Sequence, residues 1–410
     1  MSWLALKRFC LGVPEYGLNV PAESYTPEGL RFIRTTDVTE RGGLTPAEDA
    51  VFIDPNDADP SSRLQDGDLL FSRSGTLGRA LLYRRGMEQA TFAGYLVRFR
   101  PRPENDPRYI YYCSLADFFQ NTVRSEAVSS TISNFNAERY ANLRLPWCIP
   151  SKQRAIADFL DAETARIDAL IAKKRRMRQL LGERITAHVE QKTRASSISM
   201  VEDDPLPEKW RSVVLRRCFE LIQYGIGEAS REVGTIAVLG MGNVDHGEIV
   251  GNPGGFVDQI DPSLLLEPGD LLFNRTNSLA LVGKVALVRD STATTFASYL
   301  VRLRTNHLAD SAYLNYLLNT RPILEQVRSM ALPSIGQANL NPSRYTSIRV
   351  PLPPVQIQRS IVSELDLEAA THDRLSAALV RQIELLAEHR QALITAAVTG
   401  RIEVPGIAAR

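Results

Sequence analysis

The chain contains one stretch twice, and this repetition limits what it can fold into more than any other feature. Gly67-Asp68-Leu69-Leu70-Phe71-Ser72-Arg73-Ser74 is followed by Thr91-Phe92-Ala93-Gly94-Tyr95-Leu96-Val97-Arg98-Phe99-Arg100. About 200 residues later, Gly269-Asp270-Leu271-Leu272-Phe273-Asn274-Arg275-Thr276 is followed by Thr295-Phe296-Ala297-Ser298-Tyr299-Leu300-Val301-Arg302-Leu303-Arg304. Two such agreements, in one order and at nearly one offset, mark a tandem duplication. Further on, Asn136, Arg139, Tyr140, Arg144 and Pro146 return as Asn341, Arg344, Tyr345, Arg349 and Pro351. A chain of 410 residues exceeds what one core supports, so two similar domains are expected.

Residues 1–150 are punctuated by Gly, Pro and Asp and carry short strand-like apolar runs at 69–71, 81–83 and 95–99. In the last run Tyr95, Val97 and Phe99 alternate with Leu96, Arg98 and Arg100. The second copy sets Tyr299, Val301 and Leu303 against Leu300, Arg302 and Arg304. One face is expected to pack and the other to present guanidinium groups. Residues 109–123 and 311–329 each read as a short helix.

The texture changes at Ser151. From 152 to 194 there is no proline and a single glycine, Gly182, while Ile156, Leu160, Ile167, Leu170, Met177, Leu181 and Ile185 recur near heptad spacing. Ser151 reads as an N-cap and Pro150 as the stop of the preceding strand. At ~1.5 Å per residue such a helix is about 60 Å long, too long for a small domain's interior. It suits a spacer packed against a partner helix. Residues 196–209 are polar and read as a linker.

Residue 210 then restarts the pattern: 210–219 echo 3–10, and Gln223-Tyr224-Gly225 echoes Glu15-Tyr16-Gly17. The helix returns as well, with Gln153-Arg154 matched by Gln358-Arg359, and Gly400 placed to terminate it. The boundaries expected are domains at 1–150 and 210–355, helical regions at 151–195 and 356–410, and the linker at 196–209. If the second helix packs on the first, it must run back antiparallel. The fold class expected is therefore α+β: two globular domains, each a twisted β-sheet with short helices. Two long antiparallel α-helices link them as a coiled-coil rod with a pseudo-two-fold axis.

Composition, 44% hydrophobic and 23% charged, is that of an ordinary soluble protein, and no apolar span reaches membrane length. Cys10, Cys113, Cys148 and Cys218 are scattered, as expected for reduced thiols in a cytoplasmic protein, with no zinc motif. The five histidines form no ligand-spaced group. Gly283-Lys284 is followed by Val285, so no P-loop is present, and no GxGxxG, HExxH or GxSxG occurs. Asn252-Pro253-Gly254 and Asn341-Pro342-Ser343 lack the aromatic ending of an amino-methyltransferase motif. The chain reads as a non-catalytic component with no cofactor of its own. The net charge of +1 does not single out a nucleic-acid partner, but arginines cluster between 73 and 102.

The two-fold domain–helix plan, the two Gly-Asp-Leu-Leu-Phe-x-Arg blocks, Gln153-Arg154-Ala155-Ile156-Ala157-Asp158-Phe159-Leu160-Asp161 and the ending Arg390-Gln391-Ala392-Leu393-Ile394-Thr395-Ala396-Ala397-Val398-Thr399-Gly400 carry a resemblance. Together they resemble the specificity subunit of type I restriction–modification systems. The resemblance implies that each globular domain reads one half of a split double-stranded DNA site. It also implies that the helices set the gap and dock two modification (methyltransferase) subunits, and that restriction (endonuclease/translocase) subunits join. S-adenosylmethionine, and ATP with Mg, would then act on partner subunits. Two other readings stay open: a self-contained restriction or methylation enzyme, and a solitary DNA-binding scaffold.

Under that resemblance, the candidate DNA-binding residues are Tyr16, Ser72, Arg73, Ser74, Arg98, Asn134, Gln223, Tyr224, Asn274, Arg275, Thr276, Asn277, Arg302 and Asn339. Arg73 and Arg275 suit phosphate or guanine contact, or else salt bridges with Asp68 and Asp270. Tyr16, Gln223 and Tyr224 could meet a base or sit in the core; Asn134 and Asn339 could be turn residues. Arg139-Tyr140 and Arg344-Tyr345 recur almost unchanged and are assigned to a shared framework. The run Lys173-Lys174-Arg175-Arg176-Met177-Arg178 is a solvated helix face, or a docking surface for a partner or for spacer phosphates.

Overall fold

The computed structural model describes residues 2–39, 42–126, 134–198, 206–227, 231–290, 293–334 and 336–405. The chain divides into two units, Met1–Arg175 with Val380–Arg410, and Arg176–Leu379. Strands of the first unit are β1 (Ser2–Ala5), β2 (Cys10–Tyr16), β3 (Leu30–Ile33), β4 (Phe52–Ile53), β5 (Leu69–Ser72), β6 (Ala80–Leu82), β7 (Ala90–Phe92), β8 (Leu96–Pro101) and β9 (Arg144–Trp147). Helices α1 (Pro107–Leu115), α2 (Asp117–Glu126) and α3 (Ala137–Asn142) precede the long α4 (Pro150–Thr193).

The second unit carries β10 (Arg211–Val214), β11 (Phe219–Tyr224), β12 (Ile236–Leu239), β13 (Val244–Asp245), β14 (Glu248–Ile249), β15 (Gly255–Val257) and β16 (Leu271–Asn274). Then come β17 (Thr276–Asn277), β18 (Val285–Leu287), β19 (Thr294–Phe296), β20 (Leu300–Thr305), β21 (Leu332–Ser334), β22 (Gln337–Asn339) and β23 (Arg349–Leu352). Its helices are α5 (Ser311–Leu318), α6 (Arg321–Ser329) and α7 (Pro342–Tyr345), before the long α8 (Val355–Thr399).

The duplication is a duplication of topology. A central antiparallel sheet runs β2-β8-β5-β6 in the first unit and β11-β20-β16-β18 in the second. A three-stranded layer runs β4-β3-β7 and β15-β12-β19, with its last pair parallel in both. The first and last strands pair as β1-β9 and β10-β23.

The repeated Gly-Asp-Leu-Leu-Phe block has a physical reason at each position. Gly67 and Gly269 have φ of 91° and 96°, a turn geometry that any side chain would strain. Asp68, fully buried, accepts the Gln65 N–H at 2.8 Å and holds Arg100 through two bonds of 2.7 and 2.8 Å. Asp270 does the same with the Glu267 N–H at 2.9 Å and with Arg304 at 2.7 and 3.0 Å. The Leu-Leu-Phe run then alternates between two cores. Leu69 and Phe71 pack with Val97, Phe99, α1 to α3, and Ile156 and Ile394 of the long helices. Leu70 packs with Leu96, Ile33 and Phe92, under the three-stranded layer. Leu271 and Phe273 against Leu272 repeat the division.

Both faces of the central sheet are therefore covered, which corrects the expectation of a bare arginine face. Arg98 and Arg302 are 3% and 2% exposed. Arg98 donates to the carbonyls of Ser61 (2.9 Å) and Arg63 (3.1 Å), pairs with Glu15, and lies over the Phe92 ring. Arg302 donates to the Leu265 carbonyl at 2.7 Å, pairs with Asp270 at 3.4 Å, and lies over Phe296. The second layer hides them because its strands are too short to announce themselves in the sequence.

Three local expectations also change. Residues 109–123 form two helices, because Ala116 takes extended backbone (φ −69°, ψ 152°) between α1 and α2. The counterpart breaks before Pro322, which opens α6 without needing a backbone donor. Pro150 starts α4 instead of ending a strand, and Ser151 lies inside its first turn. Along α4 the buried seam of the first unit is Ile156, Leu160, Thr164, Ile167 and Ile171, while Leu170 and Met177 are exposed. Steps of four, four, three and four follow the helix's own 3.6-residue turn, which drifts off a strict heptad.

The two helices run antiparallel in each unit. In the first, Arg390 Nε lies 3.2 Å from Asp168, and Lys174 Nζ donates to Gln382 at 2.6 Å. In the second, His188 Nδ1 lies 3.1 Å from Glu368, and Lys192 Nζ 2.5 Å from Glu364. A buried glutamine bolts each helix start to its own unit. Gln153 bonds Cys148 O (2.9 Å), Asn105 (3.0 Å) and the Asp106 N–H (3.0 Å). Gln358 bonds Pro353 O (2.7 Å), Leu308 O (3.0 Å) and the Asp310 N–H (2.7 Å).

At the far end Gly400 (φ 71°) closes α8, with Arg401 N–H donating to Ala396 O at 2.8 Å. Of the expected linker, residues 199–205 lie outside the described residues, and Ala195 is buried in the second unit's core. All four cysteines are free and buried. Among the described residues no helix is long and apolar enough to cross a membrane.

Candidate nucleic-acid interface

Where β5 and β16 end, the chain builds the same small surface in both units. The Arg73 N–H donates to Tyr95 O at 2.9 Å, and its carbonyl accepts from Phe135 N–H at 2.8 Å. The Arg275 N–H donates to Tyr299 O at 3.1 Å, and its carbonyl accepts from Leu340 N–H at 2.8 Å. Each arginine is thus clamped between two segments distant in sequence. These bring Asn134 and Asn339 alongside: Ser74 bridges Asn134, and Thr276 pairs with Asn339.

The guanidinium groups are oriented by aromatic rings. Arg73 lies 4.7 Å from the Tyr16 ring centroid and donates from Nη1 to Gly94 O at 3.3 Å. Arg275 lies 5.2 Å from the Tyr224 centroid and donates to Ser298 O at 3.4 Å and Asn339 Oδ1 at 3.3 Å. In both, Nε is buried without a hydrogen-bond partner among the described residues. Asp68 and Asp270 are not their salt-bridge partners, being taken by Arg100 and Arg304.

The tyrosines are placed by the glycine that follows each. A Cβ on Gly17 would stand 2.2 Å from Phe92 O, and one on Gly225 2.2 Å from Phe296 O, so only glycine allows that approach. Tyr16 is 48% exposed, Tyr224 47%, Tyr95 62% and Tyr299 46%. Tyr95 and Tyr299 were expected on a packed strand face. Both instead precede their strands, in the turn that supplies the carbonyl for the arginine. Their recurrence after Phe-Ala-Gly and Phe-Ala-Ser was the available signal.

Several candidates leave the surface. Ser72 is buried, donates from Oγ to Thr76 O at 2.6 Å and accepts from Arg79 N–H at 3.0 Å, holding its own loop together. Asn274 is buried and donates to Met241 O at 2.9 Å. Gln223 is occupied by Arg302, as Glu15 is by Arg98. With Arg98 and Arg302, these are framework residues: their polar groups are spent inside the fold. Thr276 is buried too, its hydroxyl accepting from Asn339 Nδ2 at 3.1 Å. Asn277 donates to Met241 O at 3.3 Å and accepts from Ser278 N–H at 2.8 Å. Ser74 and Asn134 remain at the surface.

The Arg-Tyr pairs are framework in their tyrosines. Tyr140 stacks on Phe71 at 5.2 Å and donates to Ser72 O at 2.7 Å, while Tyr345 stacks on Phe273 at 3.9 Å. Both are fully buried. On α4, Lys173, Arg175, Arg176 and Arg178 are exposed, and Arg176 lies 3.6 Å from Glu183.

What this surface offers is an oriented cation stacked on a half-exposed tyrosine, with a second exposed tyrosine in the adjoining turn, once per unit. Comparison with known proteins shows what the chain resembles. Residues 29–176 match the family model described as "Type I restriction modification DNA specificity domain". The type I restriction enzyme StySPI specificity subunit of Salmonella potsdam is 21% identical over 399 residues, 95% of this chain and 85% of that protein. The EcoKI specificity subunit of Escherichia coli (strain K12) is 22% identical over 409 residues, with the same coverage. A chain from a solved structure described as "Structural basis underlying complex assembly and conformational transition of the type I R-M system" shares the fold with a TM-score of 0.69. It is 17% identical and is covered, like this chain, over 98%. The HsdS subunit from Thermoanaerobacter tengcongensis gives 0.56 at 17% identity, over 98% of this chain and 97% of that one. In its first domain, over its length and in its fold, the chain is thus similar to the specificity subunits of type I restriction–modification systems.

Proposed function

We propose that this chain is the DNA-specificity subunit of a type I restriction–modification complex, with each recognition domain (1–150 and 210–355) reading one half of an asymmetric bipartite site. The observation that supports this reading is a duplicated topology that carries unlike loops. Ser74-Gly75 follows the first arginine and Thr276-Asn277 the second, and the segment from the arginine to Gly283-Lys284 in the second unit (275–283) is longer than that to Gly78-Arg79 in the first (73–78). Like frameworks hold the two domains to the same duplex, and unlike loops read different bases. The single chain thus imitates a symmetric dimer but reads a non-palindromic target.

In this reading α4 and α8 set the spacer and dock two methyltransferase subunits, and restriction subunits join the assembly. The chain has no catalysis of its own and works in the cytoplasm. S-adenosylmethionine and ATP with Mg are used by the partners, which flip the target adenine out of the duplex to reach it. The test is methyl transfer from S-adenosylmethionine to DNA. Chain and methyltransferase partner together should transfer, and the purified chain alone should not. Transfer by the chain alone would overturn the reading.

A further inference from the structure

We infer that the patch formed by Tyr16, Arg73 and Tyr95 in one unit, and by Tyr224, Arg275 and Tyr299 in the other, is a sequence-blind clamp on the DNA backbone. In it each arginine takes a phosphate and the flanking tyrosines donate hydroxyls beside it. The inference rests on the proposed DNA-binding function and assigns this surface a task that is not base reading.

Three observations carry it. First, the patch is the same in both units, in residue type, backbone clamp and ring stacking. Domains that read different half-sites must differ where bases are read, so an identical surface serves what the half-sites share. That is the phosphate backbone.

Second, the arginines keep their charge unneutralised. Arg98, Arg100, Arg302 and Arg304 on the adjoining strands all lie against carboxylates. Arg73 and Arg275 have only amide or carbonyl oxygens and a tyrosine ring as partners among the described residues. An oriented guanidinium with no carboxylate partner among the described residues, stacked on a half-exposed tyrosine, is a site for an anion.

Third, the geometry opposes guanine recognition, which needs two parallel N–H donors on one guanidinium edge. The edge that includes Nε is closed, because Nε is buried in both arginines. On the other edge Nη1 is already drawn to a carbonyl in both, and Nη2 of Arg275 to Asn339. What remains is a charge-dominated contact of the kind a phosphate oxygen makes.

The test uses the full chain co-purified with its methyltransferase partner, a duplex carrying the complex's methylation site, and a scrambled duplex of equal length. Affinities are measured across a salt series for wild type, Arg73→Ala, Arg275→Ala and the two Arg→Lys variants. Each alanine variant should weaken binding to both duplexes by a common factor on the order of tenfold. It should also lower the salt-dependence slope by about 0.9. The lysine variants should keep most of that slope, since they keep the point charge, and they guard against an alanine variant that fails to fold.

Loss confined to the target duplex, unrescued by lysine, would make the arginines base readers and overturn the inference. Unchanged affinity and slope in a folded alanine variant would overturn it too, leaving a structural role. Wild type that prefers neither duplex would instead sink the proposed function. In that case the same slope change would still establish the clamp.

Discussion

Asp68→Asn tests whether the conserved geometry of the repeated block is framework. The substitution keeps the side-chain volume but removes a fully buried negative charge that holds Arg100 at 2.7 Å and stands 4.0 Å from Arg98. Breaking a buried pair typically costs about 3–5 kcal/mol, because the surviving charge stays desolvated. Here Arg100 is a third exposed and Arg98 retains Glu15, so about 3 kcal/mol is expected. Asp270→Asn should cost more, because Arg302 lies nearer its carboxylate, at 3.4 Å, and is equally buried. For a unit of roughly 200 residues, 3 kcal/mol corresponds to a fall in melting temperature of roughly 6–12 °C. Urea unfolding followed by circular dichroism measures it, with the slope checked to be unchanged. A loss under about 1 kcal/mol for Asp68→Asn would refute the argument that this carboxylate anchors β8 to the turn before β5.

Two further outcomes follow from the same framework. The buried cysteines should resist a thiol reagent in the native protein and react only on unfolding. Burial pushes the Cys10 thiol up to about 12 and the Cys218 thiol up to about 11, so little thiolate forms at neutral pH; rapid native labelling of either would contradict this. Inserting four residues, about one turn or 6 Å, into both α4 and α8 should lengthen the spacer of the methylated site by about two base pairs. An unchanged spacer would end the idea that the helices measure it.

The duplication was legible at once, and with it the shared topology, because each repeated residue does the same job twice. Gly67 and Gly269 turn the chain, Asp68 and Asp270 anchor an arginine, and Tyr140 and Tyr345 stack on the phenylalanine of the block. Burial of Arg98 and Arg302 was not legible. Alternation reports the two faces of a strand, but not that a second layer of two- to four-residue strands covers the polar one. The surface itself was legible only as separate residues. Tyr16 meets Arg73 because β8 lies between β2 and β5, and Asn134 arrives from a segment that contacts Ser74 only in the folded chain. Strand order decides such meetings, and strand order is not written in local periodicity. Tyr95 was misplaced by one position of strand boundary, enough to move it from core to surface.

The central claim is that two similar domains on one chain read two different half-sites. Mapping methylated adenines across the genome of cells carrying the complete system tests it most directly. The account predicts one motif made of two unlike halves separated by a fixed unread gap. A contiguous palindrome would contradict it.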